Sequence, residues 1–158
     1  QKFCQNQYFY HLIQVKNKTI GTTTPLHGSF DGDLFMATQK ARIINDLTDL
    51  DGFIAAALVD STSGMMFESM VNGSFPIEAA AAANTQVVQA KLKAMKAVGI
   101  GNDHIEDILI TLGTQYHLIR PLQINNEIFI YIAIDRNHGN LAMARMEMRK
   151  LDQSITKL

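Results

Sequence analysis

Two stretches constrain this chain more than anything else in it. Residues 53–59, Phe53-Ile54-Ala55-Ala56-Ala57-Leu58-Val59, and residues 128–134, Ile128-Phe129-Ile130-Tyr131-Ile132-Ala133-Ile134, are almost continuously apolar. Both are short and bounded by turn residues, Asp51-Gly52 and Asp60-Ser61 around the first, Asn125-Asn126 and Asp135 to Gly139 around the second. Successive side chains of a strand point to opposite faces, so a strand without polar alternation is buried on both. Two such strands belong in the middle of a sheet, most simply side by side.

The remaining elements arrange themselves around that pair. Asp60-Ser61-Thr62-Ser63-Gly64 is a compact turn, and residues 65–71 have strand length, which predicts a hairpin with the first central strand. Residues 105–112, 115–122 and 127–135 are strands joined at Gly113-Thr114 and Asn125-Asn126, connections so short that they require hairpins. Residues 105–112 alternate, with Ile108, Ile110 and Leu112 on one side, which suits a sheet edge whose backbone must be covered or paired with another chain. That edge points to a dimer.

Three helices are expected. In residues 36–50 the spacing of Ile43, Ile44, Leu47 and Leu50 gives one apolar face, ended by Asp51-Gly52. The last helix opens at Asn140, a natural N-cap, and repeats Leu141, Ala144, Met148, Leu151 and Ile155 against a polar backing of Arg145, Arg149, Lys150 and Asp152. The longest covers residues 77–98, after Ser74 as expected cap and Pro76 as first helical position, and ends at Gly99-Ile100-Gly101. It carries a large stripe, Val88, Leu92 and Met95, and a small one, Ala80, Ala83, Val87, Ala90, Ala94 and Ala97. Small residues let another backbone approach closely. They serve either tight packing on the helix's own sheet or contact with a neighbour, and the spacing leaves both open.

Residues 1–35 differ in texture, with Cys4, the aromatics Tyr8-Phe9-Tyr10 and a Thr22-Thr23-Thr24-Pro25 stretch, and read as an irregular extension ahead of a domain over residues 36–158. They lack the pattern of a signal peptide. A single cysteine excludes an intramolecular disulfide and fits a reducing compartment, so the expected location is cytoplasmic. The formal charge of -1 provides no whole-molecule field for nucleic acid or an anionic membrane. No apolar run reaches the roughly 20 residues of a membrane-spanning helix.

Nothing in the pattern marks an active site, and no cofactor is expected. The strand-to-helix glycine cradle for a phosphate is missing, because Gly99-Ile100-Gly101 follows a helix and precedes a strand. The histidines, His11, His27, His104, His117 and His138, have no metal-binding spacing. Ser61, Ser63 and Ser74 sit in turns without a nucleophile elbow. Lys91, Lys93, Lys96, Arg145 and Arg149 read as solvated faces, and Glu106 and Asp107 as charges guarding the sheet edge. No catalytic residue and no metal ligand is assigned.

The element order, with Leu50-Asp51-Gly52-Phe53-Ile54-Ala55-Ala56-Ala57-Leu58-Val59-Asp60 followed by Ser63-Gly64, resembles the opening of roadblock/dynein-light-chain domains. The close, residues 130–135 followed by Asn140-Leu141-Ala142-Met143-Ala144-Arg145, is similar too. The resemblance covers residues 36–158. It implies an α+β, profilin-like fold: a five-stranded antiparallel sheet flanked by three helices in the order α-β-β-α-β-β-β-α. It further implies a homodimer in which long helices pack together and edge strands join, acting as a non-catalytic regulator or scaffold of a small Ras-like GTPase or a motor complex. A bacterial branch of the family includes GTPase-activating partners. On that basis Ala83, Val87, Ala90, Ala94, Ile108 and Ile110 are the dimer-interface candidates, and Gln86, Gln89, Lys93 and Lys96 the partner-binding candidates. Arg145 matches a commonly basic position and is not assigned as an arginine finger. A ligand-sensing domain is a competing reading, weakened because no polar cluster is expected to point inward from the strands; a purely structural dimerisation module is another.

Overall fold

The computed structural model describes residues 43–155. A five-residue 3-10 helix, Asn45–Asp49, leads into the sheet. The strands are β1 (Phe53–Asp60), β2 (Met66–Val71), β3 (Ile108–Thr111), β4 (Gln115–Pro121) and β5 (Ile128–Asp135). Helix α1 (Ile77–Ala97) separates β2 from β3, and helix α2 (Leu141–Ser154) follows β5. All five strands join one antiparallel sheet in the order β2-β1-β5-β4-β3. The two apolar runs are therefore neighbours at its centre, Ala56 opposite Ile132 and Leu58 opposite Ile130.

Burial on both faces follows from what each face meets. On one, Ala56, Leu58, Leu118, Ile130, Ile132 and Ile134 pack with Ile44, Leu47 and the α2 residues Ala144, Met148 and Leu151. On the other, Ala55, Ala57, Val59, Ile119, Phe129, Tyr131 and Ala133 pack with Ile77, Ala81 and Val88 of α1. Large and small alternate across this second face, Tyr131 opposite Ala57 and Phe129 opposite Val59. Each fully buried Leu or Ile contributes about 1.5–3 kcal/mol, an alanine far less. The α1 side, with three strand alanines, is the weaker of the two apolar contacts.

The expected first helix lies partly outside the described residues. From Ile43 onward the chain forms the 3-10 helix instead of an α-helix. Short polar side chains explain the difference, because residues of the type of Asn45, Asp46, Thr48 and Asp49 compete for nearby backbone groups and are disfavoured in a helix interior. The Thr48 hydroxyl donates to the Asn45 carbonyl at 2.7 Å. Ile44 and Leu47 are nevertheless fully buried, as the spacing predicts. Among the described residues the sheet is flanked by two α-helices and this short turn, not by three α-helices. The extension expected over residues 1–35 lies outside the described residues.

Helix ends follow local chemistry. Asn140 caps α2, its Oδ1 accepting from the backbone N–H groups of Ala142 at 3.0 Å and Met143 at 3.2 Å. At the end of α1, Gly99 adopts φ +82°, the Gly99 N–H donates to Lys96 and the Ile100 N–H to Met95. These two bonds form a Schellman stop, which needs a residue tolerant of the left-handed region. Ser74 does not cap α1. Pro76 holds the N-cap position without a side-chain bond, and its carbonyl accepts from Ala80 N–H at 3.0 Å.

Strand β3 is shorter than residues 105–112. Its lead-in is diverted: the Glu106 carbonyl accepts from Arg120 at 3.1 Å, and the Asp107 carboxylate binds Arg145 of α2 at 2.8 Å.

Candidate functional site

Helix α1 lies over β1 and β2. It turns Ile77, Ala81, Asn84, Thr85, Val88 and Met95 inward. The large stripe thus faces the sheet, with Leu92 half-buried at its side. Of the small stripe, Ala83, Ala90, Ala94 and Ala97 are exposed, and Ala80 and Val87 half-buried. The four exposed alanines do not serve tight packing on the sheet, whereas Ala80 packs against its core. They form an outward ridge with no side chain longer than a methyl group to hold off a neighbouring backbone.

Gln86, Lys93 and Lys96 stand exposed along the same helix. Gln89 has a structural task, since its Nε2 donates to the Ser61 carbonyl in the β1–β2 turn at 2.5 Å. Ile108 and Ile110 of β3 are half-buried and pack against the same apolar cluster as Val87 and Leu92. Because α1 lies over β1 and β2, the flank between its outer ridge and β3 presents Val87, Ile108 and Ile110 only partly covered. The candidate dimer residues thus fall on one side of the molecule.

Beneath α1 runs a polar chain that contradicts the expectation of no inward polar cluster. The buried Asn84 side chain of α1 lies near enough to the Tyr131 hydroxyl to favour its ionised form. That hydroxyl lies 3.1 Å from Nδ1 of His117, and Nε2 of His117 lies 2.8 Å from Oε1 of Gln115. Phe75 meets the His117 ring edge-on, with centroids 6.2 Å apart. Burial lowers the His117 pKa and pushes the Tyr131 phenol up to about 12, with Asn84 opposing the latter shift. Two polar residues, Asn84 and Thr85, interrupt the apolar stripe of α1 at the positions that face the sheet, and that interruption was the available signal. His104 does not face His117; it is exposed and lies beside Asp103.

A second polar contact fixes α2. Arg120 Nε and Asp152 Oδ2 are 2.9 Å apart with side chains 3% and 1% exposed. Asp152 Oδ1 also accepts from the Gln123 N–H at 3.0 Å. Asp152 is therefore not part of the polar backing of the helix. Arg145 pairs with Asp107, and Arg149 with Glu106 at 3.4 Å, so these carboxylates tie the β3 lead-in to α2.

Two exposed turns hold their own carboxylates. Burial raises the Asp60 pKa, but bonds from Thr62 and Ser63 outweigh it and leave it lowered. At Asp135 the His138 side-chain bond lowers the pKa, supported by the Asn137 and His138 N–H groups. Among the described residues no group of three His, Cys, Asp or Glu could hold a metal ion, and no helix is long and apolar enough to cross a membrane.

No protein-family model and no curated protein matches the sequence. Solved structures do match. MglB from Myxococcus xanthus is similar at 14% identity with a TM-score of 0.61, over 71% of this chain and 87% of that one. A roadblock/LC7 domain from Streptomyces avermitilis is similar at 16% identity and a TM-score of 0.57, over 68% of this chain and 85% of that one. The gliding protein MglB from Thermus thermophilus is similar at 10% identity and a TM-score of 0.60, over 71% of this chain and 82% of that one. Identities this low speak for the backbone arrangement alone. This chain has the roadblock/LC7 fold.

Proposed function

We propose that this chain is a dimeric, non-catalytic regulator or scaffold of a small Ras-like GTPase, acting in the cytoplasm through a domain over residues 36–158. The observation that carries the reading is the outward ridge of Ala83, Ala90 and Ala94 on α1, set beside the partly covered Val87, Ile108 and Ile110. A ridge of methyl groups supports close helix-to-helix contact between two copies, and among the described residues β3 has a strand neighbour on one side only. Gln86, Lys93 and Lys96 then supply polar contacts to the GTPase at the rim of the dimer. The fold shared with MglB and with a roadblock/LC7 domain supports the same reading.

Sedimentation of the purified chain tests the dimer, and Ala90→Arg is expected to yield monomers that keep the far-ultraviolet spectrum of the parent. Mixing the chain with the small GTPases of its source, while following complex formation and GTP hydrolysis, tests the partner. Binding to none of them sinks the regulatory reading; binding without a change in hydrolysis turns it to scaffolding.

One observation favours ligand sensing as a second reading. A cleft of about 570 Å³ opens between Leu92, His104, Pro121, Gln123 and Asn125. Its volume suits a small molecule. A metabolite retained through purification and seen by native mass spectrometry would put this reading first.

A further inference from the structure

The connection from β2 to α1 carries a reactive pair. Asn72 is the only asparagine of the chain followed by glycine, and both Asn72 and Gly73 are exposed just beyond the end of β2. Turn chemistry explains why the pair is there, since Gly73 sits at φ +81°, a conformation that side chains of the L configuration rarely adopt. The space around this glycine is open, because a Cβ built on it would meet nothing within 4 Å. Among the described residues no acceptor meets the Gly73 N–H.

We propose that Asn72 is a site of spontaneous deamidation, which turns its side-chain amide into a carboxylate and marks the age of the folded chain. The Gly73 nitrogen, on losing its proton to a base of the solvent, attacks Cγ of Asn72. A bond forms between that nitrogen and Cγ, the bond from Cγ to Nδ2 breaks, and Nδ2 takes up a proton and leaves as ammonia. Water then opens the cyclic imide. Attack at Cγ gives aspartate; attack at the backbone carbonyl carbon of Asn72 gives isoaspartate, in which the chain continues through the side-chain carbon. No electrons are exchanged, and water is the only co-reactant.

Two contacts hold Asn72 in place. Its N–H donates to the Ile54 carbonyl at 2.8 Å, which leaves Cγ untouched, and its Nδ2 donates to the Phe53 carbonyl at 3.3 Å. A single long bond from an exposed residue slows the attack by about tenfold at most. The pair Asp51-Gly52 makes the contrast. Its glycine also has a positive φ, +72°, but a Cβ there would lie 2.7 Å from the Gly139 nitrogen and 3.2 Å from the Asp135 carbonyl oxygen. That turn is walled in by backbone and has no room to rearrange, whereas the turn at Gly73 has no wall.

The change falls where the structure feels it. The two Asn72 bonds close the β1–β2 ladder beyond the Ala55–Val71 pair, and α1 begins shortly after, at Ile77. Aspartate at this position loses the donor to Phe53 and sets a negative charge against that carbonyl. Isoaspartate also adds a backbone carbon to the connector that leads into α1. Each modified chain gains a negative charge on a formal total of -1.

Ageing of the purified full chain in mildly alkaline buffer tests the site, with isoelectric focusing for the new charge, mass spectrometry of peptides for its position and enzymatic methylation for isoaspartate. An acidic form that accumulates with time is expected, with Asn72 converted ahead of every other asparagine and isoaspartate present at that position. Asn72→Gln, whose longer side chain disfavours the imide, should lose most of the acidic form. Unfolding the chain in urea should change the rate at Asn72 by no more than about tenfold, since the fold restrains the side chain by one long bond. An Asn72 that stays intact in the folded chain while the unfolded chain is converted, an acidic form that maps elsewhere, or one that persists undiminished in Asn72→Gln would each overturn the proposal. The peptide map of the parent decides the matter even if the variant fails to fold.

Discussion

Replacing Asp152 with alanine should be among the most damaging single changes available to this domain, and the reason lies in what stays behind. The side chain of Arg120 is 3% exposed and is held by two acceptors, Asp152 Oδ2 at 2.9 Å and the Glu106 carbonyl at 3.1 Å. Asp152→Ala removes the carboxylate in contact with it and leaves the part-buried Gln123 N–H bond at 3.0 Å unmade as well. Breaking a buried pair from one side costs about 3–5 kcal/mol, because the remaining cation is desolvated without compensation. Total stabilities of single domains are about 5–15 kcal/mol, so between about a fifth and all of it is at stake. With a urea m-value of about 1.5 kcal/mol/M, the unfolding midpoint should fall by about 2–3 M, followed by circular dichroism in the far ultraviolet. Asp152→Asn keeps an acceptor for Gln123 and should lose less. The double change Arg120→Met with Asp152→Leu removes both charges and fills the same space with apolar atoms; it should recover most of the loss. A midpoint for Asp152→Ala within about 0.5 M of the parent, or a double variant as unstable as the single one, would refute the reasoning.

Other expectations follow from single contacts. Gly52→Ala should destabilise by about 2 kcal/mol or more in urea unfolding: Gly52 sits at φ +72°, and an added Cβ would lie 2.7 Å from the Gly139 nitrogen. Asn140→Ala should cost about 1 kcal/mol by the same assay, since two N–H groups at the start of α2 lose their acceptor. Asp60 bears on acid stability. Its folded pKa lies below the ordinary carboxylate value, so its contribution is complete above that value and is lost as pH falls through the lowered folded one. Asp60→Asn should accordingly flatten the acid limb of a stability profile below about pH 4, where ordinary aspartates titrate, and leave the slope above it unchanged.

How much of this was legible in the sequence depended on whether a feature was written in neighbouring residues or in register. The two apolar runs, the Asn140 cap and the Gly99 stop are local, and each is where its chemistry puts it. Adjacency of β1 and β5 was legible for a similar reason, because two strands without a polar side have few other places to go. Over residues 43–50 apolar spacing pointed to an α-helix and hid the run Asn45, Asp46, Thr48 and Asp49, whose side chains favour a tight turn. The Arg120–Asp152 and His117–Tyr131 contacts were not legible, since they join residues 32 and 14 positions apart whose meeting depends on strand register and helix rotation. Yet each left a mark: an arginine within an otherwise apolar strand end, and Asn84-Thr85 within the inward stripe of a helix.

That last mark explains why the surface of α1 and its underside belong together. Helix α1 packs Ile77, Ala81 and Val88 onto a face where Ala55, Ala57 and Ala133 alternate with Phe129 and Tyr131, an apolar contact that does little by itself to fix its rotation. Hydrogen bonds are directional where apolar contact is not, so the bond from Gln89 to Ser61, with the buried amide of Asn84 beside Tyr131, helps specify where α1 sits at a modest gain in stability. If α1 also meets a partner through Ala83, Ala90 and Ala94, then the position of that ridge is set from below by two amides. Substituting Asn84 with leucine should therefore leave the fold nearly as stable, the lost polar contact offset by added apolar burial, while weakening self-association measured by sedimentation. A variant as tightly associated as the parent would mean that the alanine ridge alone positions the helix.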